Sequence, residues 1–168
     1  MQSDSVCREA GVEEGSETEG LLPCIDNLCQ AAPTLEQIRA LEFAIPQTLD
    51  TYDPDELTTH HFCEGMYARE LLIPAGAVIV GKMHAKENLF LLAKGDMTVW
   101  TEHGVRRVQA PFMVKTKPGD KRVGYAHTDS ITINFHANPD DETDMALLES
   151  RYIMPEALPA PAEMEKIA

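Results

Sequence analysis

The sequence predicts an all-β chain folded as a double-sheet jelly-roll barrel, with a short N-terminal helix and flexible termini. Two observations carry this. From Leu57 onward, turn signals recur at short intervals: Pro74-Ala75-Gly76, Lys94-Gly95-Asp96, His103-Gly104, Pro118-Gly119-Asp120 and Asn138-Pro139-Asp140-Asp141. The segments between them have strand length. The last alternates cleanly, with Ile131, Ile133 and Phe135 on one face and Thr132, Asn134 and His136 on the other. Short strands punctuated by Gly and Pro turns fit a sandwich or barrel. About eight of them fit two sheets rolled together.

The elements follow in order. Residues 1–31 are polar and acidic, and predict a flexible arm that orders only against a partner. Residues 32–46 predict a helix. Thr34 caps it, and Gln37 three residues on completes a capping box. Leu35, Ile38, Leu41 and Phe43-Ala44 give it an apolar side, to be buried on the barrel or on a second subunit, and Pro46 ends it. The barrel domain spans 47–153, with strands expected at 57–63, 67–73, 77–84, 88–93, 97–102, 105–109, 112–116 and 131–136. Residues 143–153 fit a short helix or a final strand. Residues 154–168, rich in Pro, Ala and Glu, predict an extended tail.

Composition narrows the function classes. The 168 residues carry a formal net charge of −14. An acidic chain repels nucleic acid, so no nucleic-acid partner is expected. There is no run of 18 or more apolar residues and no apolar h-region at the N-terminus, so neither a membrane span nor a secretory signal is expected. Cys7, Cys24, Cys29 and Cys63 form no Cys-x-x-Cys pair and read as reduced thiols. The charge is uneven: Lys82 to Arg122 holds nine Lys/Arg against four Asp/Glu.

That basic region contains the stretch on which the chain is organised, Gly76 to Gly95. Lys82 and His84 are two residues apart, so in a strand they project together. Asn88 follows where the chain turns into the next strand. The frame is Gly76, five residues, Lys82-x-His84, three residues, Asn88, six residues, Gly95. It resembles the first motif of the cupin superfamily, Gly-x5-His-x-His-x3/4-Glu-x6-Gly. A second cupin motif, Gly-x5-Pro-x-Gly-x2-His-x3-Asn, is met by Pro118-Gly119, one residue shorter, with Arg122 at the His position and Ala126 at the Asn position. The resemblance implies a cupin jelly roll. Three of the four positions that would bind metal hold Lys82, Asn88 and Arg122, and two permanent cations beside one imidazole do not hold a divalent metal. No metal and no other cofactor are expected.

Within residues 57–153, the segments EGMYARELLIPAGAVIVGKMH and PGDKRVGYAHTDSITINFH resemble small cupin-like proteins encoded by tailed phages and prophages. This implies a viral context, with the protein in the host cytoplasm, or in the virion if it is structural.

Lys82, His84, Asn88 and Arg122 are expected to converge in the barrel mouth, with Tyr125, Asn134 and His136 lining it. Such a set favours an anion, a phosphate or a carboxylate, which Arg grips bidentately while Lys acts as a point charge. The bland alternative pairs these cations with Glu64, Glu70 and Asp129. A metal reading of His60, His61 and Cys63 is opposed by strand geometry, since His60 and His61 point to opposite faces. Trp100 and Tyr152 read as packing residues. Three functions stay open. One is a non-enzymatic binding module for a small anion, a homodimer or larger. Another is a virion or assembly component that docks on virion proteins. The third is a metal-independent isomerase or epimerase with His84 or His136 as base and Tyr125 as acid.

Overall fold

The computed structural model describes residues 5–8, 33–48 and 51–155. Its elements are β1 (Ser5–Arg8), α1 (Leu35–Thr48), β2 (Thr51–Tyr52), β3 (Thr58–Cys63), β4 (Gly65–Ile73), β5 (Ala77–Gly81), β6 (Asn88–Lys94), β7 (Asp96–Thr101), β8 (Gly104–Gln109), β9 (Phe112–Thr116), β10 (Arg122–Ala126), β11 (Ser130–Asn138) and α2 (Met145–Tyr152). One antiparallel sheet runs β2-β1-β5-β10-β7-β8 and the other β3-β4-β11-β6-β9.

The topology is that of a jelly roll. The strands β4 to β11 split into the quartets β4-β11-β6-β9 and β5-β10-β7-β8. Successive strands change sheet at every step but one, the β7–β8 hairpin. Two Greek keys wound this way close two sheets over one interior. The inner faces meet in a core of Leu71, Ile73, Ala77, Leu92, Met97, Val108 and Ala126.

The helix α1 covers the outside of the six-stranded sheet. Ile38 and Leu41 pack on Val78, Val80, Trp100 and Val123, with Tyr125 partly buried against them. Each fully buried aliphatic side chain of this kind contributes about 1.5–3 kcal/mol. The capping box forms: Thr34 N–H donates to Gln37 Oε1 at 2.8 Å, and Gln37 N–H donates to Thr34 Oγ1 at 3.2 Å. Buried Lys121 pairs with Glu42 at 2.9 Å and fixes the helix to the sheet. The apolar side of α1 is therefore turned to its own barrel. The helix runs to Thr48, two residues past the expected stop at Pro46, a shift common at helix ends.

Three strands depart from expectation. Ser5–Arg8 lies in the expected flexible arm, yet it pairs antiparallel with β5 on one side and β2 on the other. The edge of β5 would otherwise present unpaired backbone groups, and β1 satisfies them. The rest of that arm, like the tail from residue 156, lies outside the described residues. The third unexpected strand is β10, which sits between β5 and β7. The alternatives for 143–153 resolve to a helix, α2, capped by Asp144, whose side chain accepts from the Ala146 and Leu147 amides. No described helix is long and apolar enough to cross a membrane.

Candidate functional site

Strand periodicity selects the residues that face the interior. On β4 these are Arg69, Leu71 and Ile73, on β11 Thr132 and Asn134, on β10 Arg122 and Gly124. They line a cavity of about 570 Å³. Its lining combines apolar side chains, among them Leu71, Ile73, Ile79, Met97, Val108 and Phe112, with polar ones, among them Arg69, Lys82, His84, Asp120, Arg122 and Asn134. A second cavity of about 500 Å³ lies between the barrel and α2, walled by His60, Tyr67, His136, Leu148, Glu149 and Tyr152. Arg69, Lys82, His84 and Asn134 line both, so these four side chains stand where the two spaces meet.

The two cations expected to share an anion have different surroundings. Lys82 Nζ donates to Glu149 Oε1 of α2. The acids expected as partners are engaged elsewhere or exposed. Glu70 pairs with His61 at 3.0 Å, Asp129 accepts from the Ala75 amide at 2.9 Å, and Glu64 is exposed. Arg122 forms no ion pair with any carboxylate among the described residues. Its guanidinium lies over the Phe90 ring, 5.2 Å from the centroid. Burial lowers its pKa, and the charge of Asp120 opposes that shift only in part.

His84 and Asn88 form one unit. Asn88 Nδ2 donates to His84 Nδ1, which puts the ring proton of His84 on Nε2. Asn88 is buried behind His84 and lines neither cavity. Its Oδ1 and the Oδ1 of Asn134 are buried without a hydrogen-bond partner. An unpaired buried acceptor costs about 1–3 kcal/mol. For Asn134 that acceptor belongs to a side chain lining the cavities.

His136 faces the smaller cavity. Its ring stacks on Tyr152 at 4.6 Å and on Tyr67 at 5.8 Å, and lies 5.2 Å from that of His84. Burial lowers its pKa to about 3, helped by the charges of His84 and Arg69, so it is a neutral packing ring. Tyr152, read as a packing residue, is buried and donates its hydroxyl to the Ala137 carbonyl.

Tyr125 does not join the site. It is three residues from Arg122 on β10, and an odd separation in a strand puts two side chains on opposite faces. Arg122 lines the interior while Tyr125 packs outside, against the cluster under α1. The expected pairing of a His84 or His136 base with a Tyr125 acid is therefore not assembled. Arg69 and Glu149 were not singled out from the sequence. Arg69 had a signal, since it shares the parity of Tyr67, Leu71 and Ile73. Glu149 had none: it lies 67 residues from Lys82 and meets it only through the docking of α2.

The metal that the cupin frame implies does not fit these residues. Lys82 is held by Glu149, Asn88 by His84, and Arg122 brings a cation to the fourth position. One imidazole with two cations is not a divalent-metal donor set. Nor do the other histidines converge. His60 bonds Tyr67 on the inner side at 2.8 Å, and His61 bonds Glu70 on the outer side. Glu102, His103 and Asp120 bring donor atoms within 4.8 Å of one another, with Glu102 and His103 exposed, as acidic surfaces commonly do without an ion.

No family model matches the sequence, and no curated protein matches it. Solved structures similar to the chain include a cupin-2 domain protein from Shewanella frigidimarina (8% identity, TM-score 0.39, covering 48% of this chain and 80% of that one). They also include an acetylacetone dioxygenase from Acinetobacter johnsonii (15% identity, TM-score 0.40, covering 55% and 74%). A third is a salicylate 1,2-dioxygenase from Pseudaminobacter salicylatoxidans (13% identity, TM-score 0.45, covering 56% and 28%). The strand order of the two quartets and the Gly76–Gly95 frame give this chain a cupin-like jelly-roll fold.

Proposed function

We propose that the protein is a non-enzymatic binding module that holds a small ligand with an anionic head and an apolar body inside the barrel. The observation supporting this is Arg122. A partly buried guanidinium in ion-pair contact with no described carboxylate, its burial only partly offset by the charge of Asp120, lines a cavity that also carries many apolar side chains. Desolvating such a cation is costly, and a bound anion offsets the cost. A phosphate or carboxylate meets a guanidinium bidentately. The apolar side chains of the lining accept a hydrocarbon or ring portion of the size small-molecule cavities hold. The viral context and the host-cytoplasmic location within this reading rest on the resemblance carried by Pro118–Asp129.

Native mass spectrometry of the purified full chain, followed by thermal melts with phosphosugars, nucleotides and short-chain carboxylates, tests this. A retained anionic small molecule, or melting raised by at least one class in a saturable way, supports it. A bare chain whose melting no anion shifts overturns it.

A further inference from the structure

The two outer faces of the barrel are treated differently. The six-stranded sheet has its outer face under α1. On the five-stranded sheet, register places apolar side chains side by side on the outside: Met113–Leu91–Ile133 in one row, Leu89–Phe135 in the next, with Leu72 beyond. Met113 is 55% exposed, Leu89 45% and Leu72 42%, with no described element over them. Five strands about 4.8 Å apart and roughly seven residues long make a face of roughly 500–600 Å². That is the area of the whole face, of which the apolar side chains named occupy the part over β9, β6, β11 and the end of β4.

We infer that this face is the interface of an isologous dimer, in which the five-stranded sheets of two copies of the chain pack face to face. Three arguments favour a second copy over another partner. Charge is the first. The chain carries −14, yet the outward strand positions of this sheet hold only Glu70, Lys94 and Lys115 as permanent charges, one acidic and two basic. Glu70 is already paired with His61 and Lys115 with Glu87, and Lys94 stands at the end of β6, at the rim of the face. Two copies meet here without bringing their acidic surfaces together, whereas a basic partner would be drawn to those surfaces instead. Area is the second. Two such faces in full contact bury about 1,000–1,200 Å², the lower limit for a specific interface. Shape is the third. Antiparallel sheets pack face to face about 10 Å apart, and one face serves both copies when a two-fold axis passes near the central strand, β11. The interface is separate from the cavity, because inward and outward residues alternate along the same strands.

The test is sedimentation equilibrium of the full chain from about 1 to 100 μM, with folding of each variant checked by its thermal melt. The wild type is expected to sediment as a dimer. Leu89→Lys combined with Met113→Lys puts charge into the apolar contact and is expected to weaken dimerisation at least about a hundredfold while the variant still melts cooperatively. Leu72→Lys, at a third exposed position, is a second variant should the first fail to fold. A wild type that stays monomeric overturns the inference, whether the face is bare or covered by another segment of the chain. A dimer that survives both variants overturns it as well, because the contact then lies elsewhere.

Discussion

Lys82, one residue past β5, donates its ammonium to the carboxylate of Glu149 on α2. This contact joins the barrel cavity to the helix that walls the second cavity. Lys82 is 16% exposed and Glu149 35%, so removing one partner leaves the other half-desolvated. Lys82→Met is expected to destabilise the fold by about 1–2 kcal/mol. Lys82→Met with Glu149→Gln is expected to cost less than the two single changes summed. A double-mutant cycle by chemical denaturation measures the coupling. Strict additivity would mean that the pair holds nothing together.

Gly95 is the closing glycine of the frame read in the sequence. It has φ +102°, and an added Cβ would lie 2.1 Å from Ser130 Oγ and 2.7 Å from Ser130 Cα. Ser130 Cα is backbone on β11 and has little room to yield. Gly95→Ala is therefore expected to cost at least about 2 kcal/mol, more than the usual 0.5–1 kcal/mol scale of glycine effects in regular structure. Gly76→Ala meets only its φ of +80°, since nothing lies within 4 Å of an added Cβ, and is expected to cost less. Urea unfolding midpoints of the two variants give the comparison.

How far the sequence could be read follows from the same residues. Gly76 and Gly95 were legible because both turns need positive φ, and their spacing brackets two strands. Arg122 was legible from its distance to Gly119. Tyr125 was misplaced because Arg122–Ala126 was not recognised as a strand, so the rule of two was not applied to it. Lys82 and His84 both line the cavity, although β5 ends at Gly81, short of the strand over 77–84 expected to align them. The partner of Lys82 was not legible, since many acids were available and only the docking of α2 selects Glu149. The strand β1 was hidden in a polar, acidic stretch, because it is held by the edge of β5 rather than by its own propensity.

Acid should destabilise the protein before its carboxylates titrate. The pKa of His136 is lowered from 6.5 to about 3 in the fold, so between those values the unfolded chain binds a proton that the folded one does not. Stability is thus fully present above pH 6.5 and is lost as the pH falls toward 3, with a slope of up to about 1.4 kcal/mol per pH unit. His60 is lowered too and acts in the same direction. Asp96, held down to about 2 by hydrogen bonds from Arg107 and Gln109, adds its own loss only below 3.8. His136→Phe keeps a ring between Tyr67 and Tyr152 and is expected to flatten most of the slope between pH 4 and 6.5. Urea denaturation across that range, compared with wild type, reads it directly. An unchanged slope in His136→Phe would assign the acid sensitivity to other groups.

Anion binding in the barrel depends on Arg122, and thermal melts of wild type and Arg122→Gln, with and without phosphate- and carboxylate-bearing ligands, test it most directly. If the guanidinium waits for an anion, unliganded Arg122→Gln should be at least as stable as wild type. Wild type at about a hundred times the ligand Kd should gain about 2.7 kcal/mol, seen as several degrees in Tm, and the variant should gain nothing. No shift of wild type with any anion, together with a destabilised unliganded Arg122→Gln, would contradict the account and make Arg122 a structural cation.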